Sequence, residues 1–241
     1  MARRRDAIVY GLHAALAVAE HRPESIRRVF FHRDRRVAVG PLLKACAHNR
    51  GPYREVPSED LERLCGGSHH EGVVVFTYAL PLLSIGQLLK RVGPSPLLIA
   101  LDGVGNPHNL GAIIRSAAWF GADGVIFSGQ PGQGTLNGAT LRVAQGGAEV
   151  VPACGSTDLG PVLRAVARAG IAVLGADQSA PPDAWQEGPR RPVCLVLGNE
   201  GVGLSPTTRD ALTGLIAIPG SGAVESLNVA VAAGVLMAKT R

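Results

Sequence analysis

Three polar segments of this chain combine glycines with side chains able to orient or polarise a reacting atom. They are Asn106-Pro-His-Asn-Leu-Gly-Ala-Ile-Ile-Arg115, Leu197-Gly-Asn-Glu-Gly-Val-Gly-Leu-Ser205 and Ile218-Pro-Gly-Ser-Gly-Ala-Val-Glu-Ser-Leu-Asn-Val-Ala-Val-Ala232. Asn109, Ser226 and Asn228 can donate or accept hydrogen bonds, and Glu200 accepts them. Arg115 is a permanent cation suited to a phosphate or a developing oxyanion. Glycine-rich loops often cradle phosphates, yet the two common fingerprints fail here. No G-x-x-x-x-G-K-[ST] occurs, and Gly103-Val-Gly105 runs into Asn106, Pro107 and His108 without a third glycine. A P-loop is excluded and a nucleotide-dependent dehydrogenase is disfavoured. The seven histidines show no H-x-x-x-H or H-E-x-x-H spacing, and Cys46, Cys65, Cys154 and Cys194 contain no C-x-x-C pair. No metal site or disulfide framework is expected, and the cysteines read as reduced structural thiols.

Singly, these residues have plainer readings. Asn109 and Ser226 can cap helices, Gly198, Gly201 and Gly203 can permit turns, and Glu200 can be a charge at a helix end. Their placement argues for more, because each segment follows an apolar strand-like run: Leu97–Leu101, Val193–Leu197 and Leu215–Ile218. Ligand sites in parallel α/β sheets lie beyond the carboxyl ends of strands, so the three loops predict one composite site.

The elements that must hold these loops are legible from hydrophobic pattern. Further strand-like runs lie at Gly124–Phe127, Glu149–Pro152 and Ile171–Gly175. Helical patterns cover Asn109–Phe120, Leu136–Gln145, Leu159–Ala169 and Leu227–Ala238. Strands rich in Val, Ile and Leu without polar alternation are those of a parallel sheet buried on both faces. The fold class is α/β. Upstream, a helix at Gly11–His21, a strand at Arg28–Phe31 and a helix at Leu42–Ala47 are expected. They are followed by an extended Tyr53–Val56, a helix at Ser58–Cys65 capped by Ser58, and a strand at Gly72–Thr77. Pro81, Gly86, Gly93, Pro94 and Pro96 mark a boundary, with a short helix possible at Ile85–Val92. The expected organisation is a domain over 1–79, a linker over 80–95 and a larger domain over 96–241.

Composition sets the remaining limits. The chain has 241 residues, 46% hydrophobic and 18% charged, which excludes a disordered chain, a coiled coil or a fibre. No apolar run reaches the ~18 residues of a membrane span, and the N-terminus lacks a signal-peptide core, so a cytoplasmic protein is expected. The net charge is +5. Residues 1–95 carry 15 Lys and Arg against 9 Asp and Glu, whereas the remainder carries 9 against 10. Arg3, Arg4, Arg5 and the arginines of 22–36 supply most of the excess. Either a polyanionic partner or a solvated surface accounts for it.

The three segments resemble the three sequence motifs of the SpoU (TrmH-type) branch of the SPOUT RNA 2′-O-ribose methyltransferases. The match consists of N-x-x-x-x-x-R in the first, G-N-E-G in the second and S-L-N before an apolar helix in the third, in order, across 96–241. The N-terminal stretch, with Val9-Tyr-Gly-Leu-His13 and His69-His-Glu-Gly72, resembles the RNA substrate-binding domain of RlmB-like members. The resemblance implies methyl transfer from S-adenosylmethionine to a ribose 2′-hydroxyl of rRNA in preference to tRNA. A fold-retaining RNA binder without catalysis is the alternative from another class. It also implies a parallel sheet with a C-terminal trefoil knot and a homodimer through the catalytic domain, with no membrane and no metal.

By position, the resemblance makes Gly198, Ile218 and Leu227 cofactor contacts, with Ala176, Glu200 and Gly201 as neighbours. Arg115 becomes the candidate catalytic residue, expected to share one side of the site with Asn109. Its guanidinium stays protonated, which favours a phosphate clamp and alkoxide stabiliser over a base. Proton acceptance then falls to that phosphate or to Glu200. Asn109, Ser226 and Asn228 become orienting hydrogen bonders, and Glu225 is left without a role beyond RNA or loop contacts.

Overall fold

The computed structural model describes residues 5–128, 135–181 and 183–240; Arg3 and Arg4 of the N-terminal basic run lie outside them. In chain order the first elements are β1 (Asp6–Tyr10), α1 (Leu12–His21), β2 (Ile26–Phe31), α2 (Gly40–His48), β3 (Tyr53–Glu55), α3 (Ser58–Cys65) and β4 (Val73–Tyr78). Then come α4 (Ile85–Leu89), β5 (Leu97–Leu101), α5 (Pro107–Trp119), β6 (Gly124–Ser128), α6 (Gly138–Ala144), α7 (Gly147–Val150) and β7 (Ala153–Ser156). The chain ends with α8 (Leu159–Arg168), β8 (Ala172–Ala176), α9 (Ala184–Glu187), β9 (Val193–Leu197), α10 (Pro206–Arg209), β10 (Gly214–Ile216) and α11 (Val229–Lys239). Two compact units result: Met1–Pro81 with Leu136–Val150, and Leu82–Thr135 with Val151–Arg241.

The first unit holds a four-stranded sheet in the order β1-β4-β2-β3. β4 runs antiparallel to β1 and β2, while β2 and β3 are parallel. Alternation along the strands buries Val9, Val29, Phe31, Val73 and Val75. The segment around α6 and α7 joins this unit through a buried ion pair. Arg22 reaches Glu149 at 2.5 Å, with side chains 11% and 4% exposed. The same guanidinium donates to Thr77 Oγ1 at 3.0 Å and to the Tyr78 carbonyl. Its burial is tolerable because acid and hydrogen-bond acceptors surround it.

The second unit is a six-stranded sheet in the order β10-β8-β9-β5-β6-β7, parallel throughout. β5, β6 and β9 are buried at every residue, as double-faced burial of apolar runs requires. One core layer gathers Leu98, Ala100, Ile126 and Val196 from strands against Leu163 and Val166 of α8. Cys154 and Cys194 are buried in it as free thiols, and desolvation pushes the Cys154 thiol up to about 11. The stretch expected as a linker is built into this core. Leu88 is fully buried and the Leu83 N–H donates to the Ala153 carbonyl at 2.8 Å. Ser84 and Gln87 form a capping box on α4.

Four local expectations change. Glu149–Pro152 is not a strand: Gly147–Val150 is helical, held by the Glu149–Arg22 pair, and the strand begins at Ala153, just past the N–H-less Pro152. The strand expected to reach Ile218 stops at Ile216, where its partner β8 ends at Ala176. Pro57 caps α3, and Ser58 instead places its hydroxyl 3.2 Å from Nε2 of the buried His70. The strand β1 was not expected; its five residues open on Asp6 and hold only two β-branched side chains, a short and weak period-2 signal.

Candidate cofactor cleft and active site

The second unit has a cleft of about 420 Å³ beyond the carboxyl ends of β8, β9 and β10. Its walls include Ala176, Gly198, Glu200, Gly201, Ile218 and Leu227, so all six candidate cofactor residues line one cavity. Ser226 lines it as well.

The loop after β9 owes its shape to Asn199. Its backbone exchanges hydrogen bonds with Gly203 at 3.1 and 2.9 Å. Its side-chain oxygen accepts from the N–H groups of Gly201 and Val202 at 2.9 and 3.1 Å. Its amide donates to the Gly103 carbonyl at 2.9 Å, tying this loop to the one after β5. Such side-chain-to-backbone bonds fix a turn that glycines alone leave loose. Gly198 is required for a separate reason: a Cβ there would lie 2.4 Å from the Gly203 carbonyl carbon. Asp102, nearly buried, accepts from the Ser205 N–H at 2.7 Å and anchors the far end of the loop.

The cap residues of the two flanking helices differ from those suspected. Asn106 caps α5, accepting from the His108 N–H at 2.9 Å with Pro107 in the first turn. Asn228 caps α11, its oxygen accepting from Ala230 and Val231 N–H at 2.9 and 3.3 Å. Asn109 and Ser226 are thereby released from capping. The Asn228 amide donates to Asn109 Oδ1 at 3.1 Å, and Asn109 donates onward to Glu200 Oε1. One polar chain therefore connects all three motif loops, with each asparagine oriented by its neighbour.

Arg115 does not join that chain. It is exposed on α5 and makes no hydrogen bond or ion pair among the described residues. The expectation that it shares a side with Asn109 fails on helical geometry. Six residues at ~100° each place it about 120° round the helix from Asn109. It lies instead one turn before Trp119.

Sequence reasoning missed Asp177, which lines the cleft directly after β8. Its carboxyl is held below the ordinary carboxylate value by hydrogen bonds from the Ser179 hydroxyl and N–H, then by Arg209 at 2.5 Å. Its place one residue past a strand end was the available signal. Asn199, within the quoted motif but assigned nothing, was the other omission. No group of three or more His, Cys, Asp or Glu converges among the described residues.

Comparison with known proteins bears on this arrangement. Residues 96–238 match the SpoU rRNA methylase family, and residues 8–81 match the RNA 2′-O ribose methyltransferase substrate-binding domain. The chain is 37% identical over 239 residues to the 23S rRNA (guanosine-2′-O-)-methyltransferase RlmB of Ralstonia nicotianae, covering 97% of this chain and 94% of that protein. Identity to the Pseudomonas aeruginosa protein of the same name is 35%, covering 95% and 93%. Among solved structures, a TrmH-family RNA methyltransferase of Porphyromonas gingivalis superposes with a TM-score of 0.77 at 25% identity, covering 98% of this chain and 89% of that one. The SpoU methyltransferase AviRb of Streptomyces viridochromogenes, solved in complex with AdoMet, has the same fold, with a TM-score of 0.76 at 23% identity over 97% and 88%. Motif loops joined at strand ends, two matched domains in order and near-full-length identity converge: the chain belongs to the SpoU rRNA methylase family.

Proposed function

We infer that this protein transfers a methyl group from S-adenosylmethionine to a ribose 2′-hydroxyl of ribosomal RNA, with a guanosine of 23S rRNA as the site. The observation that carries the reading is the Asn228–Asn109–Glu200 chain, whose Glu200 lines a cleft of about 420 Å³. Membership of the family and the names of the relatives supply the substrate class.

The cleft suits the donor on its own chemistry. Its volume falls in the range of small-molecule sites. Leu197, Ile216, Ile218, Leu227 and Val229 offer apolar walls for a flat purine. Asp177, Glu200 and Glu225 offer carboxylates to a molecule bearing a sulfonium and an ammonium group. Past Ile216 the backbone leaves the sheet, and the Ala217 and Ile218 amides make no backbone hydrogen bond among the described residues. S-adenosylmethionine, when bound, supplies an electrophilic methyl on sulfur.

The protein's part is alignment and charge. Asn199 and Gly198 hold the loop wall, and Asn109 holds the Glu200 carboxylate where it takes the proton that the incoming ribose hydroxyl loses. Fixing acceptor and donor in line supplies much of the rate in a direct displacement. Arg115, exposed and without an ion pair among the described residues, is placed to clamp a substrate phosphate outside that polar chain. Ser226, also in the cleft lining, offers a further hydroxyl to orient the acceptor.

A homodimer through the second unit belongs to this reading. Trp119 on α5 is 82% exposed, and Val231 on α11, a helix packed on α5, is 52% exposed. Apolar surface of that kind suits a self-complementary interface. A C-terminal trefoil knot belongs to the same reading on the family resemblance alone; after edge strand β10 the chain packs α11 on α5 and β9. No helix among the described residues is long and apolar enough to cross a membrane, and a cytoplasmic location accords with action on ribosomal RNA.

The test is methyl transfer from labelled S-adenosylmethionine to RNA from a strain lacking the gene, with ribosomal and transfer fractions assayed apart. Label in the ribosomal fraction that disappears with Arg115→Ala is expected. Label in the transfer fraction alone would overturn the substrate, and cofactor binding without turnover on any RNA would favour a non-catalytic binder.

A further inference from the structure

The sheet of the first unit has two unlike faces. One carries buried Val29 and Val75; the other, by strand alternation, carries part-exposed Phe30, Phe76 and Tyr78 beside arginines, with Val74 buried opposite Phe30. Phe76 lies opposite Arg28 in the register of β2 and β4, and Phe30 lies opposite Arg54 in that of β2 and β3. The rings of Phe30 and Phe76 meet edge to face with centroids 5.8 Å apart. The Arg28 guanidinium sits 5.5 Å from the Phe76 centroid, and Arg27, turned onto this face by the irregularity between Ile26 and Arg28, sits 5.2 Å from that of Tyr78. All three rings stay partly exposed and all three arginines are exposed.

Charge separates this face from the rest of the basic surface. Arg33 and Arg36 pair with Asp34 and Glu55, and Arg35 donates to the Glu71 carbonyl. Arg27 has Asp6 at 2.6 Å. Arg28 and Arg54 have no acidic partner among the described residues. A β surface with adjacent ring faces and uncommitted guanidinium groups has the parts that recognise unstacked nucleotides: rings for bases, cations for phosphates. A regular duplex offers this surface no exposed base face.

We propose that Phe30, Phe76 and Tyr78, with Arg27, Arg28 and Arg54, form a stacking platform for an unpaired segment of the RNA substrate. Bases take the ring faces that the guanidinium groups now cover, and those groups move to the phosphates. The proposal rests on the RNA-methylating reading above and adds which RNA feature the first unit selects and with which side chains.

The test measures binding of a single-stranded oligoadenylate and of an RNA duplex of equal length to the full chain at several salt concentrations. Oligoadenylate is expected to bind more tightly than duplex. Phe76→Leu is expected to weaken it roughly ten- to hundredfold, in line with loss of one base–aromatic stack. Phe76→Trp restores binding, and Arg28→Gln lowers the salt slope by about one phosphate contact. Thermal melting of each variant separates misfolding from lost stacking, and the Trp variant decides the case if the Leu variant is unstable. Equal affinity for duplex, no binding of oligoadenylate, or affinity indifferent to the ring at position 76 overturns the platform. Methyl transfer to bulk ribosomal RNA is assayed in parallel. If it persists while the platform fails, the functional reading stands; if wild type transfers nothing, that reading fails on its own.

Discussion

Replacing Asn109 by Ala tests whether the polar chain that ends on Glu200 in the cleft wall is catalytic geometry or ordinary surface hydrogen bonding. The side chain makes two bonds, donating to Glu200 and accepting from Asn228 at 3.1 Å. A hydrogen bond contributes ~1 kcal/mol to stability, somewhat more to a charged partner. Glu200 is exposed and Asn109 only partly covered, so water replaces most of what is lost. Folding stability should fall by no more than about 1 kcal/mol. The effect on rate should be much larger, because Glu200 then samples orientations that no longer meet the ribose hydroxyl. A misplacement of about 1 Å at a reacting centre costs on the order of a hundredfold, equivalent to roughly 2.7 kcal/mol of activation energy.

The assay is single-turnover methyl transfer on ribosomal RNA with Asn109→Ala, Glu200→Ala and the double variant. Cofactor affinity and denaturant midpoints are measured alongside. Asn109→Ala should lose about a hundredfold in rate with little change in midpoint, and the double variant should be scarcely slower than Glu200→Ala, since both remove one function. Rates that multiply across the two positions, or a rate loss no larger than the stability loss, would show that Asn109 does not act through Glu200.

Three further perturbations follow from the same geometry. Gly198→Ala forces a Cβ to within 2.4 Å of the Gly203 backbone; it should destabilise the second unit by roughly 2 kcal/mol and weaken S-adenosylmethionine binding at least tenfold by calorimetry, and unchanged affinity would contradict the wall assignment. Asp177 has a lowered folded pKa, so its stabilising contribution is present above the ordinary carboxylate value of 3.8 and is lost as pH falls through the lowered value. The melting-temperature gap between wild type and Asp177→Asn should therefore be constant from pH 5 to 8 and close below about pH 4, and a gap that widens on acidification would refute the sign. Trp119→Glu with Val231→Glu should convert a dimer to a monomer by light scattering, whereas a monomeric wild type at micromolar concentration would remove the interface from the account.

How much of this was legible in the sequence depended on what each signal encodes. The buried strands β5 and β9 were readable because all-apolar runs of five residues have few other uses in an α/β chain, and β6 carries the shorter run Val125–Phe127. The three loops were readable together because the carboxyl ends of parallel strands lie along one edge of the sheet. Finer assignments failed where a tertiary partner decides. Whether Asn106 or Asn109 caps α5 depends on which amide is free once Glu200 and Asn228 arrive from distant loops. Gly147–Val150 became helical because Glu149 answers to Arg22, more than a hundred residues away. Asp177 gave no local pattern; only its position after β8 marked it. Arg115 was recognisable as a motif residue, yet its direction followed from the 3.6-residue period, which separates positions six apart.

Methylation of a ribose hydroxyl leaves a product that nucleoside analysis identifies by itself. Ribosomal RNA from a strain lacking the gene is incubated with the protein and labelled S-adenosylmethionine, digested to nucleosides and resolved by mass spectrometry. The account predicts label in 2′-O-methylguanosine, absent when Arg115→Ala replaces the wild type. Label on a nucleobase, or ribose label undiminished by Arg115→Ala and Glu200→Ala, would contradict it.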